Sequence, residues 1–210
     1  MINCVIDVSH HQGSIDFHRV AAAGVVGVIH KATAGTTWID KMYPTNRVKA
    51  QDAGLLWGAY HWGSGEPNTI AQQAAHFIEY ARPDAKTLMA LDYEPNVSGG
   101  HRLGPDMTAA QAIVFATDVQ HALGRWPLLY TGLAMQGRLP RLPDCPLWWA
   151  SYSDSPHGIP TQIWPTWTLW QYTGDGFGQQ PHDVDGIVGH CDRDKFNGDI
   201  HGLRRLWGAE

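Results

Sequence analysis

Two carboxylic acids, Asp92 and Glu94, stand two residues apart at the end of the apolar run LMALDYEPN (88–96), and a proline follows at once. In a strand, side chains two apart point the same way, with Cα atoms roughly 6.5 Å apart. Both acids then face one cavity. Two carboxylates in one pocket cannot both ionise freely, so the proton affinity of one rises. The raised one donates a proton near neutral pH while the other stays charged, which is the division of labour that glycosidic bond cleavage needs. Asp-x-Glu is a weak motif alone, and more often marks a solvated loop or a cap.

Other residue types suggest other chemistries. Asp7, His10, His11, His61, Asp92 and Glu94 are hard donors that could ligate a metal. Yet the chain has no His-x-x-x-His on a helix and no cysteine pair at zinc spacing. The segment HDVDGIVGHCDRD (182–194) has the acid density of a calcium loop but fails its twelve-residue spacing. Ser9 lacks a glycine-flanked elbow, and no cysteine has a persuasive partner. His10 and His11 read as loop hydrogen-bonders. No metal and no cofactor is expected.

The elements that must position the acids follow a strand-then-helix rhythm. Strands are expected at 4–9, 25–32, 55–62, 87–94 and 126–132. Helices fall between them at 15–24, 44–53, 69–81 and 108–123. Asp16 is a candidate N-cap, Thr69-x-x-Gln72 and Thr108-x-x-Gln111 read as capping boxes, and Gly24, Gly54 and Gly124 as stops. Such parallel βα units open into a doubly wound sheet or close into a barrel. Beyond residue 132 the rhythm changes. Strands are expected at 145–152 and 167–174, and one more near 184–189 or 190–196, for about eight in all. Ligands bind at the carboxyl ends of parallel strands. There the sequence gathers Asp7, Tyr60, His61, Trp62, Asp92, Glu94, Tyr130, Tyr152, Gln171 and Tyr172.

The totals agree with one domain over 1–210. Of 210 residues, 43% are hydrophobic and 17% charged; the net charge is −5 and the pI about 6.1. No basic face is advertised, so nucleic acid is not an expected partner. The longest apolar run, VAAAGVVGVI (20–29), is too short to span a bilayer. No signal peptide is visible, and the three cysteines do not form a disulfide framework. A soluble monomer without membrane attachment is expected. Ten tryptophans serve either as core or as stacking platforms.

These motifs, in order, resemble the family-25 glycoside hydrolases, lysozymes of the N-acetylmuramidase type. The resemblance runs through VIDVSHHQGSIDF (5–17), GVVGVIHKATAG (24–35), AGLLWGAYHW (53–62) and ALDYEP (90–95). It continues through PLLYT (127–131), PLWWASY (146–152), LWQYT (169–173) and CDRDKFNGD (191–199). It implies an α/β fold, an irregular TIM-like barrel with helices mainly between the first five strands. It implies a retaining peptidoglycan hydrolase with Glu94 as proton donor, Asp92 assisting or stabilising, and Asp7 and Asp192 tuning charge. Tyr60, Trp62, Tyr130, Trp148, Tyr152 and Gln171 would meet the glycan, with Trp170 nearer to packing. Asp183 and Asp185 compete with Asp192 for the final acid. Ala34 stands where the family often has an acid, Phe17 where it often has Trp, and Cys191 where an aliphatic residue is frequent. Such an enzyme acts on the cell wall outside the cytoplasm, as a phage lysin or by another export route. The rival readings are a glycan-binding module that no longer cuts and a metal-dependent sugar deacetylase or amidase.

Overall fold

The computed structural model describes residues 1–174 and 176–210. Eight strands form the wall of a closed barrel. They are β1 (Ile2–Val8), β2 (Gly27–Ala34), β3 (Leu56–Trp62), β4 (Leu88–Asp92), β5 (Leu128–Gly132), β6 (Leu147–Ala150), β7 (Leu169–Gly174) and β8 (Asp192–Phe196). Consecutive strands pair, and β1 pairs with both β2 and β8, so the wall has no free edge among these eight. The first seven run parallel. The eighth runs antiparallel to β7 and to β1. The open-sheet alternative is thereby settled in favour of closure.

Helices α1 (Phe17–Ala22), α2 (Tyr43–Asp52), α3 (Ile70–Ala81) and α4 (Ala109–Leu123) fill the first four connections. Among the described residues the later connections carry no α-helix, which matches the broken, proline-rich sequence there. Asp16 caps α1 by accepting from the Arg19 N–H. Thr108 and Gln111 form the expected capping box on α4. Gly24, Gly54 and Gly124 end helices at φ values of +91°, +78° and +72°, where a Cβ would be strained. Thr69 departs from expectation. Its hydroxyl donates to the Glu66 carbonyl at 2.8 Å and accepts from Gln73, so it is committed to the preceding turn and makes no cap.

Strand alternation divides the core in two. Outward residues such as Ile6, Val28, Trp57, Leu91, Leu129 and Trp149 pack beneath the helices, against Phe17, Phe77, Phe115 and Val119. Inward residues, among them Val5, Ile29, Leu88, Ala90, Leu128 and Leu169, fill the barrel. A further helix, α5 (Ile200–Trp207), was not expected, although Asp199 caps its start and Gly208 ends it. It lends Leu203 and Trp207 to the inner cluster and closes the floor. Gly27 lies against that plug: a Cβ there would stand 3.2 Å from the Trp207 ring.

Trp207 is fully buried, so Trp207→Ala leaves a cavity at the barrel floor. Its unfolding free energy in urea denaturation is expected to fall by about 3–5 kcal/mol.

Candidate active site

Each inward series changes character as it climbs. Val5 is followed by Asp7, Ile29 by Lys31, Gly58 by Tyr60, Ala90 by Asp92, Leu128 by Tyr130 and Leu169 by Gln171. These pairs are two residues apart and share the inner face. The floor is therefore apolar and the next tier polar. Asp192 reaches the same rim from the opposite direction. It begins β8, but that strand is antiparallel, and Asp192 pairs in register with Asp7. The carboxyl-end rule holds for the parallel strands and is inverted for this one.

Asp7, Tyr60, Asp92, Glu94, Tyr130, Trp148, Gln171 and Asp192 line one cavity of about 80 Å³. Glu94 and Tyr130 also border a second cavity of about 280 Å³ that includes Tyr152 and Leu133. On another side Lys31, Trp38, Trp62, His10, His11 and Asn96 border a third, of about 400 Å³. Larger hollows near α1 and between α2 and α3 contain none of these acids.

The polar tier is tied together. Gln171 Nε2 donates to Asp7 Oδ2 at 2.8 Å. The Tyr130 and Tyr152 hydroxyls donate to Gln171 Oε1 at 2.8 and 2.9 Å. Lys31 Nζ lies 3.8 Å from the centre of the Trp62 ring and 5.1 Å from that of Trp38. That arrangement is a cation–π contact in a largely dry setting.

Burial sets the electrostatics. Desolvation, then the charge of Asp192, holds the Asp7 carboxyl well above the usual carboxylate range. Desolvation and the charge of Glu94 do the same to Asp92, with Lys31 pulling the other way. Burial lowers the proton affinity of Lys31, and Asp92 and Glu94 oppose that shift. The Tyr60 and Tyr130 phenols are pushed well above 10 by burial, so both remain hydrogen-bond donors. All three cysteines are free and buried. Burial pushes the Cys191 thiol up to about 12, so it offers no thiolate beside Asp192.

The alternatives raised by the sequence are separated in space. Asp183 is exposed and pairs with His190; Asp185 is exposed and pairs with Arg19. Neither lines the acid cavity. His61 turns outward, where it contacts Thr33 at 2.8 Å and Gln73 at 3.1 Å. Burial lowers its proton affinity to about 3, so it is neutral. His10 bonds Asp40 through its backbone N–H and its ring, the loop role expected of it. Trp170 is buried, with its indole N–H on the Ser151 carbonyl. Among the described residues no three His, Cys, Asp or Glu side chains are arranged to hold a metal ion.

Two inward-facing polar residues were missed, one in the tier and one a pleat below it. Lys31 lies two positions after the inward Ile29, a signal period-two reading could have used. Asp194 repeats at Asp192-x-Asp194 the spacing of Asp92-x-Glu94, and it is completely buried.

The sequence model of the glycosyl hydrolases of family 25 matches residues 6–179. Lysozyme M1 of Streptomyces globisporus is 31% identical, over 96% of this chain and 70% of its own length. The autolytic lysozyme of Clostridium acetobutylicum is 30% identical, over 91% of this chain and 55% of its own. The fold is similar to that of the bacterial lysozyme from Streptomyces coelicolor, with a TM-score of 0.82 and 30% identity, covering 99% of this chain and 96% of that one. It is similar also to a family GH25 lysozyme from Aspergillus fumigatus, with a TM-score of 0.77 and 32% identity, covering 98% of each chain.

The Lys31 charge favours ionised Asp92, so its removal strengthens the proton's hold. In Lys31→Met the Asp92 carboxyl is expected to titrate at higher pH than in the unchanged protein. Carboxyl ¹³C NMR across a pH series checks this; an unmoved titration would disprove the coupling.

Proposed function

The chain belongs to the glycosyl hydrolases of family 25, and on that footing we propose that it is a muramidase. It hydrolyses the β-1,4 bond between N-acetylmuramic acid and N-acetylglucosamine in peptidoglycan, with retention of configuration. The observation that carries this reading is the convergence of Asp7, Asp92, Glu94 and Asp192 on one cavity walled by Tyr60, Tyr130, Trp148 and Gln171. The lysozyme names of the relatives supply the substrate class.

In this reading Glu94 protonates the departing sugar oxygen. Its position supports that role: it is half-buried and borders both the acid cavity and the Tyr152 cavity beside it. Asp92 orients the acetamido oxygen of the substrate for attack on its own ring carbon, or stabilises the ring charge directly. Asp7 and Asp192 add negative potential. The transition state resembles an oxocarbenium ion. Positive charge growing at the ring favours the ionised forms of Asp7 and Asp92, the forms that burial disfavours in the free protein. The interaction is thus stronger in the transition state than in the ground state, which is the condition for catalysis. Tyr152, Trp62 and Trp38, half-buried or exposed in the flanking hollows, offer faces for sugar rings.

The domain acts as a monomer on glycan strands of the cell wall. No helix of the described residues is long and apolar enough to cross a membrane.

Glu94→Gln removes the donated proton and keeps the side chain's shape. Release of new muramic reducing ends from purified peptidoglycan is expected to fall by about 10²–10⁴-fold, with glycan binding preserved. Unchanged release would refute the assignment. Analysis of the first-formed anomer by ¹H NMR tests retention: β product supports it, α product rejects it.

A further inference from the structure

Glu94 lies outside the barrel strands, on the segment 93–96 that leaves β4, so its aim depends on how that backbone is held. Before it, the Tyr93 N–H donates to the Tyr130 carbonyl at 2.9 Å, and the Tyr93 hydroxyl donates to the Arg138 carbonyl. After it, the N–H of the buried Asn96 donates to Asp106 Oδ1 at 2.8 Å. The mechanism above gives Asp106 no part.

Asp106 is a junction. Arg102 Nη1 lies 2.7 Å from its Oδ1 and Arg138 Nη1 3.0 Å from its Oδ2. Arg102 ends a small hairpin, Val97–Ser98 paired with His101–Arg102, and Asn96, Ser98 and Leu103 border the Lys31 hollow. Arg138 Nη2 donates to the Ala134 carbonyl at 3.3 Å, and Ala134 borders the Tyr152 hollow. One carboxylate thus joins the Glu94 segment to a wall of each flanking hollow. Its own backbone is fixed elsewhere. The Gly65 N–H donates to the Pro105 carbonyl at 2.9 Å, and Gln111 Nε2, from the α4 capping box, donates to the Gly65 carbonyl at 3.2 Å. A Cβ at Gly65 would collide with the Asp106 carbonyl, so the two backbones are in close contact.

The three bonds to Asp106 are not equal. The Arg102 and Arg138 side chains are more than half exposed, and exposed ion pairs contribute little to stability. The Asn96 bond is charge-assisted and sits on a buried residue, which makes it the strong one. The Asn96 N–H, ahead of the two guanidinium groups, holds the Asp106 carboxyl below its ordinary range, so it is an acceptor near neutral pH.

We propose that Asp106 is a positioning residue that aims Glu94 at the acid cavity by pinning the Asn96 amide. The proposal rests on the muramidase reading for the role of Glu94, and on the hydrogen bonds for the pin itself. Without the carboxylate, Asn96 still accepts from the Leu103 N–H at 2.9 Å, so the hairpin stays closed while the Glu94 segment loosens.

The test is a double-mutant cycle read by kcat for release of muramic reducing ends from soluble glycan strands. Asp106→Ala is expected to lower kcat about 10–100-fold, with a smaller change in KM. In the Glu94→Gln protein the same substitution is expected to change the residual rate less than about threefold, because the group it aims is already gone. A role in stability alone lowers both backgrounds by one factor, and that outcome overturns the proposal. Asp106→Asn keeps an oxygen for the Asn96 N–H and is expected to recover most of the loss; an asparagine variant as slow as Asp106→Ala counts against the pin. Hydrogen exchange of the Asn96 amide, followed in ¹H–¹⁵N spectra, reads the pin apart from activity. Exchange is expected to quicken at least about tenfold in Asp106→Ala, and an unchanged rate refutes the pin. Should Asp106→Ala fail to fold, Asp106→Ser, too short to reach the Asn96 N–H, goes through the same cycle. Faster exchange in Asp106→Ala, together with full activity in Glu94→Gln, sustains the pin and overturns the reading of Glu94 as proton donor.

Discussion

Several carboxyls are held out of water on the inner wall of the barrel, and much of the rest of the structure follows from that. A lone buried carboxylate is strongly disfavoured, and the common response is a rise in proton affinity rather than ionisation. Asp7, Asp92 and Asp194 all shift that way, and burial is the first cause in each case. The partners around them are matched to this condition. Gln171, Tyr130 and Tyr152 form a relay of neutral donors ending on Asp7. Lys31 is the cation that acts on Asp92 and Glu94, and it is itself half-insulated by tryptophan rings. A site built in this way resists charge until a positive centre arrives, which is the property a glycosidase transition state can use.

The barrel supplies the dryness. Its floor is sealed by Trp207 and Leu203 from the last helix, and its wall has no free edge because β8 pairs with β1. The acids stand one pleat above that apolar plug. Placed a pleat lower they would have no exit to substrate; on the outward face they would lie under helices. The direction of β8 matters for the same reason. Running antiparallel, it presents Asp192 at the rim and sends Asp194 below it, so the final strand contributes one acid to the cavity and one to the support beneath.

Legibility in the sequence follows the range of the interactions involved. The Asp92-x-Glu94 pair, the capping box at Thr108 and the glycine stops are local signals, and each acts within a few residues. Thr69 carried the same local pattern but its hydroxyl went to Glu66 and Gln73, where the buried Gln73 also serves His61 and Ser64. Tertiary demand overrode a local preference. His61 shows the same limit. Composition places it near the rim, and strand parity turns it outward beneath α3.

The sequence by itself determined the alternation of apolar and polar residues, the four βα units, the positions of the paired acids and, through its motifs, the family. Those are matters of period and spacing along one chain. Tertiary structure alone decided that the sheet closes, that the last strand runs backwards, that α5 plugs the floor, and that Asp192 rather than Asp183 or Asp185 joins the acids. Each of these depends on pairing between segments distant in sequence, and the energy of such pairing resides in registry and burial that no single stretch of residues contains.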